Sequence, residues 1–119
     1  MPIILPHHGI APVIPSTAWI APNATIIGDV VLGEDSSIWF NTVVRGDVNY
    51  IRIGDRTNIQ DNSTIHVHTG TAPTVIGNEV VGGHNIVLHG CTLADRILVG
   101  MGAIVMDHVE VGEESIISA

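Results

Sequence analysis

The stretch AWIAPNATIIGDVVLGEDSSIWFNTVV, residues 18–44, carries an aliphatic side chain at every sixth place: Ile20, Ile26, Leu32, Ile38 and Val44. The series runs on through Ile53, Ile59 and Ile65, then Ile76, Gly82 and Leu88, then Leu93, Val99, Val105, Val111 and Ile117. Fifteen of these sixteen positions are aliphatic and only Gly82 is not, which makes the pattern an internal repeat. Glycine often follows, as in Leu32-Gly33, Ile53-Gly54, Ile76-Gly77, Val99-Gly100 and Val111-Gly112. Four residues on sits mostly a small or β-branched residue: Ala24, Val30, Ser36, Thr42, Thr57, Ser63, Val80, Thr92, Ala103, Val109 and Ser115. The glycine spacing would spoil a helix. Each six-residue unit therefore reads as a short strand plus a corner. Three units make one triangular coil, with the aliphatic residue pointing into a prism and coils stacked about 4.8 Å apart.

The spacing predicts an all-β fold, a parallel β-helix built on a hexapeptide repeat, as a single domain over residues 1–119. Abundant Ile and Val with only four aromatics, Trp19, Trp39, Phe40 and Tyr50, suit stacked short strands. Two register shifts interrupt the period. Nine residues separate Val44 from Ile53 and eleven separate Ile65 from Ile76. Loops are expected to bulge from corners there, at D-V-N-Y (47–50) and H-T-G-T-A-P (68–73), the second carrying the turn formers Gly70 and Pro73.

Charge excludes some partners. Four arginines and no lysine face 12 acids, for a net charge of −8. Nothing would neutralise the phosphates of a nucleic acid, and an anionic membrane surface would not attract the chain. No apolar run approaches the roughly 20 residues of a membrane span. The N-terminus M-P-I-I-L-P-H-H-G lacks a basic n-region and does not read as a signal peptide. Cys91 is the only cysteine and cannot form an internal disulfide. A cytoplasmic location is the expectation.

The register turns three histidines into geometry. With coils taken as Leu32-Ile38-Val44, Ile53-Ile59-Ile65 and Ile76-Gly82-Leu88, His66 follows Ile65 and His89 follows Leu88. They share a column on adjacent coils, roughly 5 Å apart along the prism. Arg45 occupies that column one coil earlier. His84 falls two places after Gly82, on a different face, pointing away from the pair. Catalytic zinc commonly takes three protein ligands and leaves one position for water. Two ligands in one column meet a third only if a neighbouring chain supplies it, which predicts a C3 trimer with interfaces between unlike faces. His7, His8, His68 and His108 read as exposed polar residues.

The segments RGDVNYIRIGDRTNIQDNSTIHV (45–67), PTVIGNEVVGGHNIVLHGCTL (73–93) and GMGAIVM (100–106), with the opening AWIAPNATIIGDV, resemble the gamma-class carbonic anhydrases over nearly the whole chain. The resemblance implies a left-handed β-helix. It further implies a homotrimer with Zn²⁺, Fe²⁺ or Co²⁺ at each subunit interface, held by His66, His84 and His89. The implied activity is that of a lyase, reversible hydration of CO2 to bicarbonate. Gln60 and Asn58 match positions that orient the metal-bound oxygen. Arg45, Asp47 and Asp61 match positions that form ion pairs near the site and across the interface.

Three departures from that family pattern stand out. Val48 replaces a glutamate after the R-x-D triplet. The loop over residues 67–73 has no acid, which leaves His68 as the titratable candidate for proton transfer. The family's C-terminal helix is absent from a sequence that stops at I-I-S-A, in mid-repeat, as either a fragment or a natural short form, and an open coil would expose strand edges. Three other functions fit the same scaffold: a hexapeptide acyltransferase, a metal-dependent thioesterase and a non-catalytic trimeric scaffold. The few cations leave little to hold the phosphates of coenzyme A.

Overall fold

The computed structural model describes residues 1–119 and contains fifteen strands and no helix. Every pairing between named strands is parallel. The chain winds into about five coils with three faces.

The first face stacks β1 (Ile3–Leu5), the start of β3 (Thr25–Leu32), the start of β5 (Val43–Ile53), β7 (Thr64–His66), β10 (Val87–His89) and β13 (Ile104–Val105). The second stacks the ends of β3 and β5 on β8 (Thr74–Ile76), β11 (Thr92–Leu93) and β14 (Glu110–Val111). The third stacks β2 (Trp19–Ile20), β4 (Ser37–Ile38), β6 (Asn58–Ile59), β9 (Val81–Gly82), β12 (Leu98–Val99) and β15 (Ile116–Ile117). Strands β3 and β5 turn a corner without a break and so join two faces.

The six-residue series forms the core. Ile26, Val44, Ile65, Leu88 and Val105 stack in one column. Leu32, Ile53, Ile76, Leu93 and Val111 make the second. Ile20, Ile38, Ile59, Gly82, Val99 and Ile117 make the third. Most of these side chains are fully buried, and coverage falls off at Val111 and Ile117.

The small residues four places on close the corners. Ser36, Thr42, Thr57 and Ser63 are buried, and their hydroxyls donate to the carbonyls of Gly33, Gln60, Gly77 and Gly83. A hydroxyl is needed there because a buried carbonyl without a partner costs about 1–3 kcal/mol. The corner residues Asn41, Arg56, Asn62, Glu79, Asn85 and Arg96 adopt positive φ. Five of them donate their amides to a carbonyl of the preceding coil, as Asn85 does to the Asp61 carbonyl at 2.9 Å, and Asn41 donates its amide to Asn23 Oδ1 there.

Both expected bulges are present. Gly28 pairs with Gly46 but Val30 pairs with Ile51, so three extra residues loop out around D-V-N-Y. An antiparallel bridge between His68 and Ala72 closes the second loop, with Gly70 at φ 74°. The pattern fails in one respect. Thr92 and Val109 are exposed and Ser115 is only half-buried. Leu88 and Leu93 are five residues apart, so this corner is one residue short and Cys91, not Thr92, takes the inner place.

Gly82 has a packing reason. A Cβ there would lie 2.9 Å from Ile86 Cδ1 and 3.1 Å from Ile59 Cδ1. Ile86, fully buried, stands where other coils place Ser, Thr or Ala, and its bulk fills the space that Gly82 vacates. Gly82→Val is therefore expected to overpack the core and lower the unfolding free energy by about 1–3 kcal/mol. Adding Ile86→Ala should recover much of that loss in urea denaturation, since total volume is restored.

Candidate metal centre

β7 and β10 end on His66 and His89, which are direct partners in the parallel register. Their rings lie 5.0 Å apart between centroids, with His66 Nδ1 3.2 Å from His89 Nε2. Two nitrogens bound to one tetrahedral zinc at 2.0–2.1 Å stand about 3.3 Å from each other. The pair thus already has the separation of two ligands of one ion.

The outer nitrogen of each ring is held by a carboxylate. Asp47 Oδ1 lies 2.9 Å from His66 Nε2, and Asp107 Oδ1 lies 2.5 Å from His89 Nδ1. On the third face, Asp61 Oδ1 lies 2.9 Å from His84 Nδ1. Carboxylates in this position fix the tautomer and raise the basicity of the opposite nitrogen. The nitrogens left to bind are His66 Nδ1, His89 Nε2 and His84 Nε2. This donor set fits a divalent transition metal.

The three do not meet within one chain. His84 is half-exposed at the corner after β9 and has no contact with the pair. No group of three or more His, Cys, Asp or Glu side chains in the single chain is arranged to hold a metal ion. His84 instead lines a recess of about 390 Å³ with Ser37, Trp39, Asn58, Gln60 and Asp61. There Gln60 Nε2 donates to Asn58 Oδ1 at 3.0 Å. Asn58 and Gln60 therefore accompany His84 and not the pair.

Arg45 and Asp47 form an ion pair at 2.5 Å beside His66. Burial would raise the Asp47 carboxyl, but hydrogen bonds from His66, Arg45 and the Val48 amide outweigh it and bring it from 3.8 to about 2. The Asp107 carboxyl is also lowered, chiefly by the hydrogen bond from His89. In the metal-free chain, a carboxyl that binds its proton less readily when folded supports the fold above its unfolded pKa. That support is lost as pH falls from about 3.8 through about 2. The thermal midpoint of wild type should exceed that of Asp47→Asn at pH 5, and the gap should close by pH 2. A gap independent of pH would contradict this.

Sequence reading missed Asp107. It lies 18 residues after His89, at the corner of the next coil, and reaches back to the ring. Its signal was only the register after the short corner at Cys91. His68 is exposed, with its ring against Thr71 Oγ and the Thr69 carbonyl, and makes no hydrogen bond to the histidine pair. Burial pushes the Cys91 thiol up to about 11, so it packs as a small apolar side chain.

Comparison with known proteins bears on the family to which the chain belongs. The family described as bacterial transferase hexapeptide (six repeats) matches residues 11–46. A gamma carbonic anhydrase 1, mitochondrial, of Arabidopsis thaliana is 46% identical over 114 residues, covering 92% of this chain and 42% of the relative. A carbonic anhydrase of Geobacillus kaustophilus is 48% identical over 111 residues, covering 93% of this chain and 60% of the relative. The chain thus spans about half the length of these relatives. The crystal structure of a hexapeptide transferase family protein from Anaplasma phagocytophilum superposes with a TM-score of 0.84 at 43% identity, covering 98% of this chain and 75% of that one. Repeat, coil architecture and relatives agree: the chain belongs to the hexapeptide-repeat proteins with a left-handed β-helix and, among them, to the gamma-class carbonic anhydrase family.

Proposed function

We propose that the chain assembles as a homotrimer and hydrates CO2 reversibly at three equivalent sites between subunits. Each site takes His66 and His89 from one chain and His84 from the next, with zinc, or else iron(II) or cobalt(II), as the ion. The observation that carries this reading is the set of three histidines, each held by a carboxylate on one nitrogen, two of them 3.2 Å apart.

Bound there, the metal supplies a Lewis acid that makes water nucleophilic near neutral pH. The chain's own residues do the rest. Asp47, Asp107 and Asp61 orient the three rings. The bond from Gln60 Nε2 to Asn58 Oδ1 leaves Gln60 Oε1 free to accept and Asn58 Nδ2 free to donate in the recess. An acceptor aligns the attacking water, and a donor stabilises negative charge growing on a CO2 oxygen. His68, exposed on its loop, would be the candidate to pass a proton to solvent.

The acyltransferase reading finds no group of cations for the phosphates of coenzyme A among four arginines and no lysine. The test is metal analysis of the purified protein with stopped-flow CO2 hydration of wild type and His84→Ala. Wild type should contain about one metal per chain and exceed the variant by more than about 100-fold. A trimer that takes up no transition metal would remove both the anhydrase and the thioesterase readings. A metal-loaded trimer with no rate above His84→Ala would leave a scaffold.

A further inference from the structure

The recess beside His84 has a single apolar wall. Trp39 is the one hydrophobic side chain among those that line it, against Ser37, Asn58, Gln60, Asp61 and His84. The parallel ladder sets this arrangement. Ser37 pairs with Asn58 and Ile38 with Ile59, so Trp39 stands one coil above Gln60. Each of the two reaches back two residues along its own strand. Trp39 Nε1 donates to Ser37 Oγ at 2.9 Å, as Gln60 Nε2 donates to Asn58 Oδ1 at 3.0 Å. The two couples leave different surfaces behind. The amide couple keeps an acceptor and a donor, whereas indole has one donor and no acceptor, so its ring has no hydrogen bond left to offer. Trp19, the ladder partner of Ser37, braces that ring, with centroids 4.7 Å apart and planes tilted by 51°. The place below Gln60 belongs to Gly83, where a Cβ would come within 2.8 Å of the Val99 carbonyl oxygen. That column therefore carries no further side chain beside His84.

We propose that Trp39 forms the surface against which CO2 settles, and that it sets the preference of the recess for an uncharged linear substrate over water. This rests on CO2 hydration as the activity and names the residue that selects its substrate. CO2 has no donor and no net dipole, so water outcompetes it at every polar group of the recess. A flat apolar ring inverts that balance. Water gains no partner from the ring, while CO2 gains dispersion contact along its length and leaves water in doing so. An apolar surface facing a few convergent polar groups is the usual form of a small-molecule site. Bicarbonate, charged and strongly hydrated, gains little from the ring, so the product leaves without its hold. Trp39, with its hydrogen bond and its ring contact, is fixed in place before the substrate arrives.

The test uses the full chain and two readouts. The first is hydration kinetics of the metal-loaded protein. Trp39→Gln and Trp39→Ala should raise KM for CO2 about 10-fold with kcat nearly unchanged, the mark of lost substrate binding. Dehydration of bicarbonate should lose kcat instead and keep its KM, because the overall equilibrium fixes the ratio of the two kcat/KM values. Trp39→Phe should stay close to wild type. The second readout needs neither metal nor turnover. Nitrous oxide is linear, isoelectronic with CO2 and inert to hydration, and its infrared stretch shifts on leaving water. Metal-free wild type and Trp39→Phe should show a saturable bound band that Trp39→Gln lacks. Tyr50→Gln, which changes an exposed ring in a different recess, should keep the band. A bound band and a CO2 KM that both survive in Trp39→Gln overturn the proposal. So does a fall in hydration kcat at constant KM, and so does a rise in KM that comes with loss of metal or of the circular dichroism signal. A wild type that shows the band but hydrates no CO2 keeps the apolar subsite and overturns the anhydrase reading.

Discussion

Mixing two inactive variants restores metal binding: this is the expected result for His84→Ala chains refolded together with His66→Ala/His89→Ala chains. Neither variant alone can complete a site, because each lacks one side of every interface. In a mixed ring there is one junction where an intact pair faces an intact His84. Each mixed trimer should therefore bind about one metal, a third of the wild-type content, with a similar share of CO2 hydration. The restoration follows from the distance between faces and not from stability, since all three histidines lie on the surface of their own prism. A site built within a single chain would give no recovery at any mixing ratio. The readout is metal per chain against the mole fraction of each variant, and it should peak near equal mixing.

The second large effect is on the fold. Ile65→Ala should lower the unfolding free energy by about 2–5 kcal/mol in urea denaturation. Ile65 is fully buried in the middle of its column, stacked on Val44 and Leu88. Removing it leaves a void that two flanking coils cannot fill, because their backbones are tied by parallel ladders on both sides. A domain of this kind has only about 5–15 kcal/mol to lose. The same side chain lies directly beneath His66, so the void also frees the end of β7. Val111→Ala makes the contrast. Val111 is only half-covered and belongs to the final, incomplete coil, so its loss should cost under about 1.5 kcal/mol. Equal effects at the two positions would mean that the coils do not act as neighbours in a stack.

The core columns and the adjacency of His66 and His89 were legible because both depend on one short-range rule, six residues per side. Where the count holds, a residue's direction follows from its number alone. The insertions around residues 47–50 and 68–73 did not disturb this, since the excess chain leaves through a corner and the strand resumes in register. The corner at Cys91 did, because a deficit of one residue changes which side chain points inward. Thr92, counted among the small residues four places on, faces outward for that reason, and Asp107 was missed beyond it. Gly82 was visible as an exception but not as an exchange with Ile86, since that contact is set by volume and not by period. The corner hydroxyls were read only as small residues. Their role depends on carbonyls that the sequence does not display.

The parallel ladder that pairs His66 with His89 also limits how the centre can vary. Along the prism, a side chain can change height only in whole steps of about 4.8 Å. In the proposed trimer, fine adjustment would be left to rotation of the rings and to lateral movement of one subunit against another. The choice of ion would then become a question of how closely the prisms approach, and substitutions where subunits touch, far from any donor atom, would tune which metal is held.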